Sequence, residues 1–144
     1  MVIPLKKFVV NNPTLAICLG MQILMNKSEE ANDCKGLSIL DGNVELISKF
    51  NKNAMVPHIG WTKLLVKNNS NKNFFTVFKD KYFYYSNSYV CNLNKLYPQR
   101  CFFLHDGNKF VSAIKNNNLF GTQFHPEISN KQGFEFYKNF MDLK

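Results

Sequence analysis

The stretch Thr14-Leu15-Ala16-Ile17-Cys18-Leu19-Gly20-Met21-Gln22 decides how this chain folds. An apolar run ends in a cysteine, and a short turn separates it from a helix-like segment that runs from Met21 to about Glu30. This order predicts a strand, a sharp turn and a helix. A cysteine on such a turn stands clear of its sheet, with the N–H of the next residue and a helix N-terminus beside it. Both features favour a thiolate and the oxyanion that its attack creates. The alternative is a buried structural cysteine that ends a core strand.

A second motif, His125-Pro126-Glu127, lies near the other end of the chain. In an extended segment, residues i and i+2 project to the same side, so Glu127 can hold one ring nitrogen of His125 and leave the other for Cys18. The imidazole would take the thiol proton, and the carboxylate would fix its tautomer. The separation along the chain is no obstacle, because a sheet brings distant strand ends together. The alternative is a capped surface turn.

The composition fits one globular domain over residues 1–144. The chain is 45% hydrophobic, which excludes a disordered tail, and it carries a net charge of +8. No apolar run approaches the ~18 residues of a membrane span, and residues 1–7 do not form a signal peptide. We therefore expect a cytoplasmic location and no membrane partner. The basic residues are scattered, which indicates no nucleic-acid partner and favours an acidic face on a protein partner.

The cysteine pattern predicts no metal site. Cys18, Cys34, Cys91 and Cys101 form no C-x-x-C pair, and no histidine has zinc-finger spacing to them. In a cytosolic protein we expect Cys34, Cys91 and Cys101 to be free thiols.

The rest of the sequence predicts alternating helices and strands. A helix tail over residues 1–12 precedes the strand Thr14 to Ile17, and Phe134, Tyr137 and Met141 at helical spacing predict a closing helix over about 131–143. Between them we predict strands at 44–47, 82–90, 101–104, 110–114 and 119–124, a hairpin turn at 105–108 and a polar loop at 68–73.

Two motifs, Ala16-Ile17-Cys18-Leu19-Gly20-Met21-Gln22 and Gln123-Phe124-His125-Pro126-Glu127, resemble the signatures of class I, triad-type glutamine amidotransferases. Val56-Pro57-His58-Ile59-Gly60-Trp61 and Ser88-Tyr89 also match. Together they resemble one branch of that class, the glutaminase subunits of imidazole glycerol phosphate synthase. The resemblance runs from about Asn12 to the C-terminus. It implies an α/β fold with an open, mostly parallel, flavodoxin-like sheet and flanking helices.

The resemblance implies that Cys18 attacks the side-chain amide of glutamine, with His125 and Glu127 completing a triad. It further implies no cofactor, and ammonia that passes to a partner cyclase in a heterodimer. That cyclase makes imidazole glycerol phosphate and AICAR in histidine biosynthesis. The matching positions for holding glutamine are Leu19, Gly20, Gln22, Ser88 and Tyr89. His58 and Trp61 match the partner-facing side.

Relatives begin with further strand–helix units and a Pro-Gly-Val-Gly loop that completes the oxyanion hole. We expect this chain to lack about two such units, roughly 60 residues, and to keep one oxyanion donor, the N–H of Leu19. A second departure is Ala16, where relatives usually have glycine. Three functions stay open: a glutaminase that feeds a cyclase, a paralogue that feeds a sugar-amidating synthetase in surface polysaccharide synthesis, and a truncated domain that binds a partner without turnover.

Overall fold

A five-stranded sheet carries both motifs that the sequence analysis singled out. The computed structural model describes residues 2–32, 34–67 and 73–143, so the polar loop predicted at 68–73 lies outside the described residues except for Asn73. The described helices are α1 (Val2–Asn11), α2 (Leu19–Ile23) and α3 (Asn130–Met141). The described strands are β1 (Thr14–Ile17), β2 (Lys27–Ser28), β3 (Cys34–Lys35), β4 (Gly42–Leu46), β5 (His58–Lys63), β6 (Leu65–Val66), β7 (Tyr82–Asn87), β8 (Tyr89–Leu93), β9 (Gln99–His105), β10 (Asn108–Asn116) and β11 (Leu119–Thr122).

Three sheets organise these strands. The five-stranded sheet has the order β1-β11-β10-β9-β6, a second sheet has the order β3-β2-β4-β8, and β5 pairs with β7. The predicted α/β class with open sheets and flanking helices is confirmed. None of the helices in the described ranges is both long and apolar enough to cross a membrane.

The expectation of mostly parallel strands needs a correction. Among the described strand pairs only β1–β11 and β2–β4 are parallel, and the others are antiparallel. The reason is the length of the connections. Asp106 and Gly107 have φ of 45° and 81° and join β9 to β10 directly. A two-residue turn can join only antiparallel neighbours, whereas parallel strands need a crossover of a dozen or more residues.

The helix predicted from Met21 to about Glu30 is also shorter than expected, because α2 ends at Ile23. The following residues are recruited into a sheet instead. The N–H of Asn26 donates to Gly42 O at 2.9 Å, and the N–H of Glu29 donates to Val44 O at 3.0 Å. These N–H groups pair with residues of β4, so they are not available to a continuing helix.

The five-stranded sheet separates two apolar clusters. Successive residues of β10 face opposite sides of the sheet, and a bulge between Val111 and Ala113 shifts this alternation by one residue. Phe110 and Ala113 therefore pack in one cluster, and Val111 and Ile114 pack in the other. The first cluster is rich in aromatic side chains: Phe75, Phe78, Phe83, Tyr85, Phe103, Phe124 and Phe136. The second cluster contains Met21 of α2, the residues Leu24 and Met25 that follow this helix, and Ala16 of β1.

The closing helix α3 is confirmed, but its buried face differs from the residues that predicted it. Phe134 and Met141 are both 72% exposed, whereas Phe136 is buried and packs against Phe124 at 5.4 Å between ring centroids. The helical spacing was real, but more than one stripe of α3 is aromatic, so spacing alone did not select the stripe that faces the sheet.

Candidate active site

Cys18 lies on a strained turn between β1 and α2. Its backbone has φ 49° and ψ −104°, a conformation that non-glycine residues rarely adopt and that costs of order 1–3 kcal/mol. Two hydrogen bonds hold the turn: the Cys18 N–H donates to Thr122 O at 2.6 Å, and the Gln22 N–H donates to Cys18 O at 3.1 Å. The predicted strand, sharp turn and helix are therefore present, and the thiol is half-buried rather than sealed in the core.

His125 and Glu127 have the arrangement that the motif predicts. Nδ1–H of His125 donates to Oε1 of Glu127 at 2.6 Å, because an ionised carboxylate can only accept. Nε2 of His125 is buried and has no hydrogen-bond partner within the described residues. Burying a ring nitrogen without a hydrogen bond costs free energy. The arrangement keeps Nε2 of His125 free to accept a proton from another group.

Ser129, which the sequence analysis missed, fixes the backbone of the His125 turn. Its Oγ donates to the carbonyl of His125 at 2.6 Å and accepts from the N–H of Tyr84 at 2.9 Å. The N–H of His125 in turn donates to Tyr84 O at 2.8 Å. Helix α3 packs tightly here, because a Cβ on Gly133 would lie 1.8 Å from the carbonyl oxygen of Pro126. The available signal was a serine two positions before the predicted helix start at about residue 131, close to a favoured N-cap position.

Strand pairing brings the two motifs to the same edge of the sheet. β1 and β11 run parallel with Ile17 opposite Thr122, so Cys18 and the segment that leads to His125 leave the sheet at adjacent carboxyl ends. The Glu127 carboxylate lies close enough to Cys18 to raise the pKa of its thiol. The described residues show no hydrogen bond between Cys18 Sγ and His125 Nε2.

The electrostatics at Cys18 correct one expectation. The turn was expected to favour a thiolate, but burial raises the pKa of the Cys18 thiol above its ordinary value. The N–H of Leu19 lowers this pKa, the Glu127 carboxylate raises it, the Gln123 amide lowers it and Glu30 raises it. Burial and the two carboxylates outweigh the two donors, so the resting side chain is a thiol that needs a base.

Gln22 and Gln123 form a buried hydrogen-bonded pair behind the sulfur. Nε2 of Gln22 donates to Tyr89 O at 3.2 Å and to Oε1 of Gln123 at 3.2 Å. Nε2 of Gln123 lies 3.5 Å from Sγ of Cys18. Gln22 is one of the residues predicted to hold glutamine, whereas Gln123 was not predicted as a site residue, although it stands inside the second motif.

Comparison with known proteins shows which family this chain belongs to. The family model described as glutamine amidotransferase class-I matches residues 2–143. The chain belongs to this family. The predicted resemblance to this class is therefore confirmed.

Curated relatives of this amidotransferase include three proteins named imidazole glycerol phosphate synthase subunit HisH. The protein from Methanocaldococcus jannaschii is 39% identical and covers 91% of this chain. The Buchnera aphidicola protein is 37% identical over 93% of it, and the Escherichia coli K12 protein is 35% identical over 91% of it. The matched regions make up 64%, 66% and 64% of these relatives, so the chain spans just under two thirds of their length.

A solved structure shows that the fold is shared more widely. A Thermoplasma acidophilum protein described as part of a GMP synthase superposes with a TM-score of 0.63 at 19% identity. The match covers 97% of this chain and 62% of the other. At this identity the likeness concerns the fold alone.

The other predicted glutamine-binding residues of the amidotransferase lie around the Cys18 turn and at the start of β8. Leu19 is 56% exposed, and a small cavity of about 70 Å³ opens beside Leu19 and Gln22. Gly20 faces Ala16, and a Cβ added to it would lie 3.6 Å from the Ala16 Cβ, an ordinary contact. Ser88 and Tyr89 are half-buried. Their roles in holding glutamine remain predictions.

The two residues predicted to face a partner differ in exposure. Trp61 on β5 is 45% exposed and contacts Tyr84 edge-on, with ring centroids 5.8 Å apart. His58 is only 5% exposed, and its ring stacks on Phe103 at 5.0 Å. Both roles remain predictions, but in this structure only Trp61 offers its side chain to a partner.

The remaining nucleophiles and potential ligands do not form a second centre in the part of the chain that the structure describes. Cys34 is exposed, whereas Cys91 and Cys101 are buried, and burial raises the pKa of both buried thiols. No group of three His, Cys, Asp or Glu side chains in the described ranges could hold a metal ion.

Proposed function

We propose that this amidotransferase hydrolyses glutamine to glutamate and ammonia through a thioester on Cys18. The proposal is supported above all by the hydrogen bonding of the His125 ring. One ring nitrogen is held by Glu127 at 2.6 Å, and the other is buried without a partner among the described residues. Cys18 lies on a strained turn directly after β1. Because β1 runs parallel to β11, Cys18 lies at the same edge of the sheet as the segment that leads to His125. These are the parts of a nucleophile, base and orienter.

In the proposed reaction, Nε2 of His125 takes the Cys18 thiol proton as the sulfur attacks the side-chain amide carbon of glutamine. The oxyanion that forms meets the N–H of Leu19. The C–N bond then breaks, the leaving nitrogen takes the proton from His125, and ammonia departs. A water molecule that His125 deprotonates attacks the thioester carbon, the C–S bond breaks, and the proton held by His125 returns to the sulfur as glutamate leaves. The raised pKa of Cys18 supports proton removal during attack rather than a resting thiolate.

We further propose that residues 1–144 belong to one amidotransferase domain and that the partner of this domain is a cyclase in a heterodimer. The curated relatives are named as subunits of imidazole glycerol phosphate synthase, which supports transfer of ammonia to that cyclase in histidine biosynthesis. Their names do not favour a sugar-amidating paralogue, and the intact geometry of His125 and Glu127 does not favour a domain without turnover.

The test is glutamate release from glutamine by the chain with the cyclase from the same organism. We expect release that is lost in Cys18→Ala and kept in Cys34→Ala, the matched change at an exposed cysteine. A glutamine-analogue electrophile should add once to the wild type, at Cys18, as read by intact mass and peptide mapping. Equal glutamate release by the wild type and Cys18→Ala would refute the proposal.

A further inference from the structure

The sulfur of Cys18 has a buried amide behind it that the proposed triad does not use. Gln123 is completely buried, and its Nε2 lies 3.5 Å from Cys18 Sγ. A glutamine side chain has one end that donates and one that accepts. What it does to the sulfur therefore depends on which end faces the sulfur.

A backbone carbonyl settles this orientation. The carbonyl of Tyr89 can only accept, so the end of Gln22 that lies 3.2 Å from it must be the NH₂ group. The same NH₂ group lies 3.2 Å from Gln123, which must present its oxygen to receive the second hydrogen. The NH₂ group of Gln123 is then the end that faces Cys18. The direction of donation thus runs from Gln22 to Gln123 and from Gln123 to the sulfur.

We propose that Gln123 is a further catalytic residue, which donates a hydrogen bond from Nε2 to the sulfur of Cys18 and stabilises the thiolate, and that Gln22 is the positioning residue that keeps this donor turned toward the sulfur. The proposal rests on the proposed glutaminase function for its catalytic meaning. Its physical content, a donor aimed at the nucleophile, can be tested without glutamine.

The surroundings of Cys18 explain why such a donor matters. The charged groups that act on the sulfur are Glu127 and Glu30, both of which disfavour a thiolate. Charge on Cys18 also raises the pKa of the buried Cys91 thiol. The proposed base, His125, follows β11, the strand that pairs with β1 before Cys18. The donors that act on the sulfur within the described residues are the Leu19 N–H and, with a smaller effect, the Gln123 amide, so Gln123 is the one side chain in these ranges that donates to a transient thiolate.

The experiment is the pH profile of iodoacetamide alkylation, followed at each cysteine by peptide mass spectrometry. In Gln123→Met, which keeps the length of the side chain and removes the donor, the midpoint for Cys18 should rise by about half to one pH unit. In Gln123→Glu it should rise further, because a carboxylate replaces the donor. Gln22→Met should produce a smaller rise. Cys34 in the same molecule is the internal reference, and its profile should not move.

Thr122→Val is the matched control, a polar-to-apolar change at the adjacent, equally buried residue. Its hydroxyl donates to Phe124 O at 3.0 Å and not to the sulfur, so the Cys18 midpoint should stay at the wild-type value. A purely structural role for Gln123 would lower the melting temperature in Gln123→Met without moving the midpoint. An unchanged midpoint in folded Gln123→Met or Gln123→Glu overturns the proposal.

A measurement on the wild type covers variants that fail to fold. The ¹⁵N signal of the Gln123 side-chain amide should titrate with the same midpoint as Cys18 alkylation, and this response should vanish in Cys18→Ala. An amide signal that ignores the titration overturns the proposal. Because alkylation needs no substrate, an unmoved midpoint in an enzyme that releases glutamate rejects the role of Gln123 alone. A moved midpoint in a protein that releases none rejects the glutaminase function alone.

Discussion

The hydroxyl of Ser129 donates to the carbonyl of His125 at 2.6 Å while accepting from the N–H of Tyr84 at 2.9 Å. One fully buried side chain therefore ties the proposed base to β7. In Ser129→Ala the N–H of Tyr84 loses its partner and the carbonyl of His125 keeps only the longer bond from the N–H of Ile128, at 3.3 Å, so the free energy of unfolding should fall by about 1–3 kcal/mol. Glutaminase activity should fall with it, because the His125 turn loses an anchor.

Urea unfolding and glutamate release test this prediction together. Ser86→Ala is the matched control, since Ser86 lies exposed on the same strand as Tyr84, and it should change neither quantity. Wild-type stability in Ser129→Ala would show that the hydroxyl does not anchor the turn.

Replacing the orienting carboxylate should lower turnover far more than stability. Glu127→Gln keeps the shape of the side chain, but its amide no longer stabilises the imidazolium and can hold the wrong tautomer of His125. We expect kcat to fall by about 10²–10⁴-fold, as for orienting carboxylates in hydrolase triads. Glu135→Gln makes the same chemical change in a surface ion pair with Lys81 and should keep wild-type kcat. Similar kcat values for the two variants would remove Glu127 from the mechanism.

His58 should make the fold sensitive to acid. Burial, and then the neighbouring His105, lower the pKa of His58 to about 4, against smaller opposing effects of Asn87 and Asp106. In the unfolded chain a histidine titrates near 6.5. Between about pH 6.5 and 4 the unfolded state therefore binds a proton that the folded state refuses, and the free energy of unfolding falls as the pH falls.

We expect a loss of about 1–3 kcal/mol across this window that is traceable to His58. His58→Phe keeps a ring to stack on Phe103 and removes the titrating group. Urea unfolding at pH 7.5, 6 and 5 should give a shallower slope for this variant than for the wild type. Parallel slopes would show that other groups cause the acid sensitivity.

A substitution at Gly20 should change the free energy of unfolding and KM for glutamine independently of each other. The space beside it is open, because a Cβ would meet the Ala16 Cβ at an ordinary 3.6 Å. Gly20→Ala should therefore raise the free energy of unfolding by about 0.5–1 kcal/mol, the usual gain within a helix. If Gly20 helps to hold glutamine, as the resemblance predicts, KM for glutamine should rise at the same time. A stabilised variant with unchanged KM would remove Gly20 from the substrate site.

Trp61 is the test of the proposed partner surface. Partly exposed tryptophans are frequent anchors of protein interfaces, and truncating one weakens binding by on the order of 10-fold or more. Trp61→Ala should weaken binding to the cyclase by this amount in calorimetry, with little change in melting temperature. Leu96→Ala is the control, because Leu96 is 80% exposed on the turn between β8 and β9. Equal affinities for the two variants would place the partner elsewhere.

The sequence by itself determined the Cys18 turn, the pairing of His125 with Glu127 and the closing helix α3. Each of these depends on residues that lie close together along the chain: an apolar run before a small-residue turn, a histidine and a glutamate two positions apart, and aromatic side chains at helical spacing. Such local patterns constrain the backbone directly, so they can be recognised without the rest of the fold.

Only the tertiary structure decided which distant groups those motifs meet. The hydrogen bond between Gln22 and Gln123 joins residues 101 positions apart, and the bond that Gln123 makes to Cys18 spans 105. The early end of α2 likewise depends on pairing with β4, and the burial of Phe136 rather than Phe134 depends on which stripe of α3 meets the sheet. Hydrogen bonds and burial are settled by the neighbours that the sheet assembles, and a linear pattern does not specify those neighbours.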